Sequence, residues 1–369
     1  MNDLAGLKQS PLFMLSLSSK ELFHSNFLAW LWESYPASMY DIFKEKLSSH
    51  PANPYHVNVQ RENKNIDLTV SFDEETVLII ENKVKSIPDE SQLKDYHDKV
   101  IADDKAKIKK FNFILLAMVE PRFNVPDGWV YVSYDVLING LKNINFKDEY
   151  ANMLVRDYCF FTETLMNILK YYSEQSTPFI SKQQYEQLLD LRIHDIVQKM
   201  NYSKLASYVS QHLKDADYLS LLVNESVNSG FSNGTGIIEF KYRIKNNYML
   251  GLQLQGKNLR YVVEVEYDKS RLTEIRQQAK AILNNLCNSN LLWFKYGSDV
   301  EPEHFELTRD CGVYKKGYKD ICNYTETFYY QYIILNDDCS YERIAKIFSD
   351  YCKYISEHHN EFAEAFVTS

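Results

Sequence analysis

The eight residues Val77-Leu78-Ile79-Ile80-Glu81-Asn82-Lys83-Val84 decide how this chain is read. Four consecutive apolar side chains, entered from a polar Asp73-Glu74-Glu75 turn, describe a strand buried on both faces. Side chains alternate across a strand, so Glu81 and Lys83 share one face while Ile80, Asn82 and Val84 share the other. Two opposite charges therefore leave the end of an interior strand side by side. On an exposed edge strand a Glu-x-Lys triplet is an ordinary solvated pair. At the end of a core run, unpaired charge is costly and calls for a partner.

Immediately upstream, YHVNVQRE (55–62) and IDLTVSF (66–72) alternate apolar and polar residues and read as two further strands. If the short acidic turn pairs the second and third strands as a hairpin, Asp67 comes to lie beside Glu81. Two carboxylates converging at a sheet edge make a hard oxygen site suited to Mg²⁺ or Mn²⁺. Phosphodiester hydrolysis needs this set of groups. Carboxylates hold a cation that neutralises phosphate and lowers the pKa of a water, and a lysine ammonium orients that water or steadies the developing charge.

Further out, Ser18-Ser19-Lys20-Glu21 has capping-box spacing and opens a helix over about 19 to 33. Glu21 occupies the N3 position of that box and stays open between helix cap and metal shell. His24, on the same face, reads first as a partly buried polar residue of the helix and second as a ligand. Glu62, ending the first strand, is a surface residue or an acid behind the site. After Ile87-Pro88, Asp89 is placed to cap a helix carrying Gln92, Leu93, Tyr96 and Val100 along one side. A basic stretch then leads into FNFILLAMV and WVYVSY, two more strands. Within it Lys107, Lys109 and Lys110 are candidates for backbone-phosphate contact, with a solvated helix face as the plain alternative.

The resulting order, α-β-β-β-α-β-β, implies a mixed sheet covered by helices on both faces over residues 1–150. Residues 151–225 read as a helical connecting region. Residues 226–369 read as a second α+β domain: strands IIEFKYRI, YMLGLQLQ and LRYVVEVEY, a helix near 270 to 286, strands LLWFKY and TFYYQYIIL, and a terminal helix from about 340. In this domain the Tyr- and Lys-bearing stretch FKYRIKNNY is open to base stacking or to plain sheet packing.

At 369 residues, 45% hydrophobic and 25% charged, the chain has the composition of a globular protein with room for two cores. A net charge of -9 excludes attraction of the whole molecule to nucleic acid, so any such contact is local. The six Cys show no metal-binding spacing and are expected to be reduced thiols. Neither a leader pattern nor an apolar run long enough for a membrane is present, which points to a cytoplasmic protein without a membrane partner.

Asp67, followed by Glu81-Asn82-Lys83 at the end of an apolar strand, resembles the D…(D/E)-x-K signature of the PD-(D/E)XK nuclease superfamily. Gln92-Leu93-Lys94-Asp95-Tyr96 is similar to the Q-x-x-x-Y motif of its RecB-type members. ELFHSNFLAWL (21–31) resembles the first helix of a bacterial branch of nuclease-like proteins with the ENK spelling. The resemblance covers about residues 18 to 135 and departs from the pattern in having Ile66, not Pro, before Asp67.

The resemblance implies a restriction-endonuclease-like core and an Mg²⁺- or Mn²⁺-dependent phosphodiesterase acting on nucleic acid, DNA ahead of RNA, in a setting such as restriction or phage defence. Carried over by position, Asp67 and Glu81 are metal ligands, with the backbone carbonyl of Asn82 as a third and Glu21 as a further carboxylate. Lys83 is the catalytic lysine, and Gln92 and Tyr96 position phosphate or brace the site. The C-terminal domain is left for recognition, regulation or assembly of a homo-oligomer. The alternative is a nuclease-fold module that binds nucleic acid or a protein without cutting.

Overall fold

The structure, a computed structural model, describes residues 6–8, 10–16, 20–63, 65–103, 109–146, 148–245, 247–266, 272–294, 312–313, 321–325 and 327–366. The chain divides into two compact units, Met1–Glu174 with Gln183–Met200, and Gln175–Lys182 with Asn201–Ser369.

In the first unit five strands lie in sequence order: β1 (Asn58–Asn63), β2 (Ile66–Ser71), β3 (Thr76–Lys83), β4 (Lys110–Ala117) and β5 (Trp129–Ser133). The first three are antiparallel; β3, β4 and β5 run parallel. This is the mixed sheet expected from the strand order. Its central strand β3 is buried at every position up to Asn82, which is why the apolar run reads without alternation. β1 is a polar, largely exposed edge.

The described helices of the N-terminal part are α1 (Pro11–Ser16), α2 (Lys20–Ser34), α3 (Pro36–Phe43), α4 (Glu90–Asp103), α5 (Tyr134–Lys142) and α6 (Glu149–Ser173). Helix α4 covers one face of the sheet: Leu93, Tyr96 and Val100 pack with Val77, Ile79, Phe113 and Leu115. Burying Leu93 fully stabilises this contact by about 2 kcal/mol. Asp89 caps α4 as the sequence indicates, its Oδ1 accepting from Gln92 N–H at 3.0 Å. The Trp129 indole donates to the Leu93 carbonyl at 3.0 Å and ties α4 to β5.

Helices α2, α3 and α5 belong to the opposite side. Trp32 is fully buried, stacked on Phe43 and edge-on to Phe72. Helix α5 begins at Ser133, whose hydroxyl accepts from Asp135 N–H. A Cβ at Gly140 would press on the Ile42 side chain, so glycine lets α5 approach α3 without displacing it.

Helices α7 (Lys182–Asp190) and α8 (His194–Asp215) follow. The second unit is built on an antiparallel sheet ordered β10-β12-β9-β8-β7-β6, with β11 also on β12. Its long strands are β7 (Thr235–Lys245), β8 (Tyr248–Gln255), β9 (Asn258–Val265) and β12 (Phe328–Leu335), beside the short β6 (Asn228–Ser232), β10 (Gly312–Val313) and β11 (Cys322–Thr325). Helices α9 (Leu272–Asn288), α10 (Tyr341–Glu357) and α11 (His359–Ala365) complete it. Phe240, Leu252 and Tyr261 on the sheet share a core with Ile282, Phe348 and Tyr351.

One expectation is corrected in this unit. LLWFKY does not form a strand: residues 291–294 turn through bends, and residues 295–296 lie outside the described residues. Trp293 and Phe294 are fully buried, Trp293 edge-on to Tyr261, Tyr351 and Phe362, while Leu292 N–H donates to Tyr354 Oη at 2.9 Å. The apolar run is a set of core anchors on a loop, its polar backbone met by a side chain in place of a ladder. In FKYRIKNNY, Phe240 and Tyr242 face the core, and Lys241 and Arg243 pair with Glu264 at 2.6 Å and Glu266 at 3.0 Å. Those cations are already neutralised.

No described helix is long and apolar enough to cross a membrane. Cys159, Cys287, Cys322, Cys339 and Cys352 are not joined in disulfides, and Cys311 lies outside the described residues.

Candidate active site

The β2–β3 hairpin builds the site. Its register pairs Leu68 with Ile80, which sets Asp67 and Glu81 one step further along the same two strands. Lys83 Nζ lies 2.7 Å from Glu81 Oε1, and Asp67 Oδ2 accepts from Asn82 N–H at 2.7 Å. Asp67, Glu81 and Lys83 are thus gathered at the end of β3, on the face covered by α4.

The carbonyl of Asn82 faces the same place. Lys83 O accepts from Met118 N–H on the β4 side, and backbone groups alternate along a strand. Asn82 N–H and C=O therefore point toward β2, beyond the last paired residues, where Asp67 takes the N–H. The Asn82 side chain points the other way, between α2 and α5. Tyr134 Oη donates to its Oδ1 at 2.5 Å, and its Nδ2 donates to Ser25 Oγ at 3.3 Å.

Electrostatics at this spot are strained. Glu81 is 2% exposed. Burial first, and the Asp67 charge second, push its carboxyl up to about 7 against the pull of Lys83. Burial also raises Asp67, beyond what the Asn82 N–H and Lys83 offset, and the charges of Glu21 and Glu62 add to the rise. For Lys83, burial opposes the charge but the Glu81 carboxylate outweighs it, so the ammonium is held above its usual range. The second oxygen, Glu81 Oε2, is buried with no hydrogen-bond partner.

An orphaned carboxylate oxygen beside a second desolvated carboxylate suits a hard divalent cation, which would supply the missing positive charge. Among the described residues no three His, Cys, Asp or Glu side chains form a ready-made metal cage. Asp67 and Glu81 would be completed by the Asn82 carbonyl, water and substrate oxygens, the pattern Mg²⁺ tolerates best.

The remaining candidates fall into two groups. Gln92 Nε2 donates to Tyr96 Oη at 2.8 Å, and Tyr96 is raised by burial first and by the Glu81 and Asp67 charges, so this pair adjoins the trio. Asp89 also feels the Lys83 charge. Glu21 holds the backbone just past β3: its Oε1 accepts from Lys85 N–H at 3.0 Å, Val84 N–H at 3.3 Å and Ser86 Oγ at 2.8 Å. Its expected cap partner Ser18 lies outside the described residues. Glu62 is exposed, stands across from Asp67 in the β1–β2 register and has a left-handed φ of 50°, a conformation that costs about 1 kcal/mol.

Lys109 and Lys110 are not brought to the site. Lys110 pairs with Thr76 at the start of β3, whereas Lys83 ends it, and seven residues of strand span about 23 Å. Both are exposed, Lys110 sits 3.6 Å from Glu75, and Lys107 lies outside the described residues. In a parallel pair, nearness in sequence to the site strand places the start of β4 at the wrong end.

His24 is fully buried, its Nδ1 3.0 Å from Tyr158 Oη. Burial first, then the Lys85 charge, lowers it to about 3, which leaves a neutral imidazole. Sequence reasoning missed Tyr134 and Tyr158, which lie 52 and 76 residues beyond Asn82 with no motif to mark them. Ser25 was within reach, because its hydroxyl donates to the Glu21 carbonyl at 3.3 Å, the i to i-4 bond its helical spacing allows.

Compared with known families, residues 11–230 match the family model described as the PD-(D/E)XK nuclease superfamily. No curated protein and no solved structure matches the chain.

Proposed function

Because the chain belongs to the PD-(D/E)XK nuclease superfamily, we propose that it hydrolyses phosphodiester bonds of nucleic acid, DNA ahead of RNA, with Mg²⁺ or Mn²⁺ at Asp67 and Glu81. The observation that carries this reading is Glu81 itself: a carboxylate 2% exposed, one oxygen on Lys83 and the other on nothing. Such a group destabilises a fold and is tolerated where it serves chemistry.

When bound, the cation neutralises phosphate and lowers the pKa of a water. Asp67, Glu81 and the Asn82 carbonyl would hold it. Lys83, fixed in its charged form at the strand end, is positioned to orient a water or a phosphoryl oxygen. The Gln92–Tyr96 pair offers polar hydrogens on the adjoining helix face for a substrate phosphate. The second unit, with its own core, is proposed to serve recognition, regulation or self-association, in a role such as restriction or phage defence suggested by the family resemblance.

Incubating the protein with linear and circular double-stranded DNA, single-stranded DNA and RNA tests the proposal. Cleavage of at least one substrate is expected with Mg²⁺ or Mn²⁺ and is lost with chelator. Binding of nucleic acid without cleavage under any of these conditions would favour the silent module, and cleavage indifferent to chelator would overturn the metal assignment.

A further inference from the structure

On the face of β3 away from the site, a chain of buried polar groups crosses four elements. Asn82 (β3), Tyr134 (α5), Tyr158 (α6) and His24 (α2) are all fully buried. Tyr134 Oη meets Asn82 Oδ1 at 2.5 Å, the Tyr134 and Tyr158 hydroxyls influence each other's ionisation, and Tyr158 Oη meets His24 Nδ1 at 3.0 Å.

At the Asn82 end the direction of the bonds is fixed. Asn82 Nδ2 donates to Ser25, so Oδ1 is the acceptor and Tyr134 spends its single proton on it. Further along, Tyr158 Oη and His24 Nδ1 share a hydrogen bond. His24 Nε2, at the far end, is buried with no hydrogen-bond partner. The chain closes on α2, where Ser25 donates to the carbonyl of Glu21, the residue whose side chain holds Val84 to Ser86.

We propose that Tyr134, backed by Tyr158 and His24, is a positioning residue for the metal site, fixing through the Asn82 side chain the strand end that presents Glu81, Lys83 and the Asn82 carbonyl. This rests on the reading of Asp67 and Glu81 as a metal site. Buried polar groups cost free energy unless each is paired, and an apolar core would serve stability equally well. What the polar chain adds is geometric: Asn82 admits one side-chain orientation, and its backbone groups, directed toward β2, are fixed with it. Partners of this kind tune metal sites by orienting their ligands.

Mn²⁺ titration of the full-length protein by calorimetry, without substrate, tests this. Tyr134→Phe is expected to weaken Mn²⁺ binding about tenfold and to lower the melting temperature. Tyr134→Phe combined with Asn82→Leu removes both members of the buried bond, so most of the stability returns while Mn²⁺ affinity stays weak. Tyr351→Phe removes a hydroxyl from the buried Tyr261–Tyr351 pair (2.8 Å) of the second unit and is expected to lose stability with Mn²⁺ affinity unchanged. Wild-type affinity in Tyr134→Phe, or recovery of affinity together with stability in the double variant, would reduce the chain to a structural role and overturn the proposal. Failure of the wild-type protein to bind Mn²⁺ would instead overturn the metal-site reading beneath it.

Discussion

Glu81→Gln is expected to abolish cleavage and, in the same molecule, to make the metal-free protein more stable above neutral pH. Loss of a ligand removes the charge that holds the cation, and a fall of about 10³-fold or more follows for chemistry that depends on it. The stability gain comes from titration. In the unfolded chain a Glu titrates near 4.5, whereas in the fold Glu81 is pushed up to about 7. Between those values the folded state binds a proton that the unfolded state does not, so stability contributed by this group is present at low pH and is lost as pH rises through 7. Each pH unit is worth about 1.4 kcal/mol, so at pH 8 ionised Glu81 costs up to about 3 kcal/mol, which a neutral amide avoids. Urea denaturation in chelator at pH 5 and pH 8 should show wild type and variant converging at the lower pH and diverging at the higher. A variant that is inactive but less stable at pH 8 would mean that the Lys83 pairing outweighs the burial of the carboxylate.

His24 gives the opposite pH dependence. Its imidazole titrates near 6.5 when unfolded and at about 3 in the fold, where burial disfavours the cation. The contribution is intact above pH 6.5 and is lost as pH falls toward 3, because the unfolded chain then takes up a proton that the folded one refuses. The full difference is about 5 kcal/mol, and about 2 kcal/mol of it appears between pH 6.5 and pH 5. His24→Asn keeps a donor for Tyr158 and cannot titrate. Its stability, measured by denaturation in chelator, should fall less than that of wild type over this interval by about that amount. Parallel curves for the two proteins would show that His24 takes up its proton in the fold as readily as in the unfolded chain, against the burial that is held to keep it neutral.

The parts of the site that were legible in the sequence were those fixed by strand geometry. Glu81 and Lys83 share a face because side chains alternate, and Asp67 reaches them because an acidic turn of a few residues leaves little choice but a hairpin. Asp89 announces the start of α4 by its place after Ile87-Pro88. The support behind the strand was not legible. Tyr134 is the first residue of an unanticipated helix, and Tyr158 looks like any aromatic of a long amphipathic one; only tertiary packing aims their hydroxyls at Asn82. LLWFKY misled for a related reason: an apolar run records burial, and burial of Trp293 and Phe294 is achieved on a loop. The place of Lys110 at the opposite end of β3 from Lys83 was not legible either, because it follows from the parallel β3–β4 register and not from proximity in sequence.

Lys83 separates binding from chemistry, since it is no ligand. Lys83→Ala, assayed beside wild type for Mn²⁺ binding and for cleavage of the best nucleic-acid substrate, should retain the bound cation and lose cleavage. A variant that cuts at the wild-type rate would contradict the assignment of this strand end as a nuclease site.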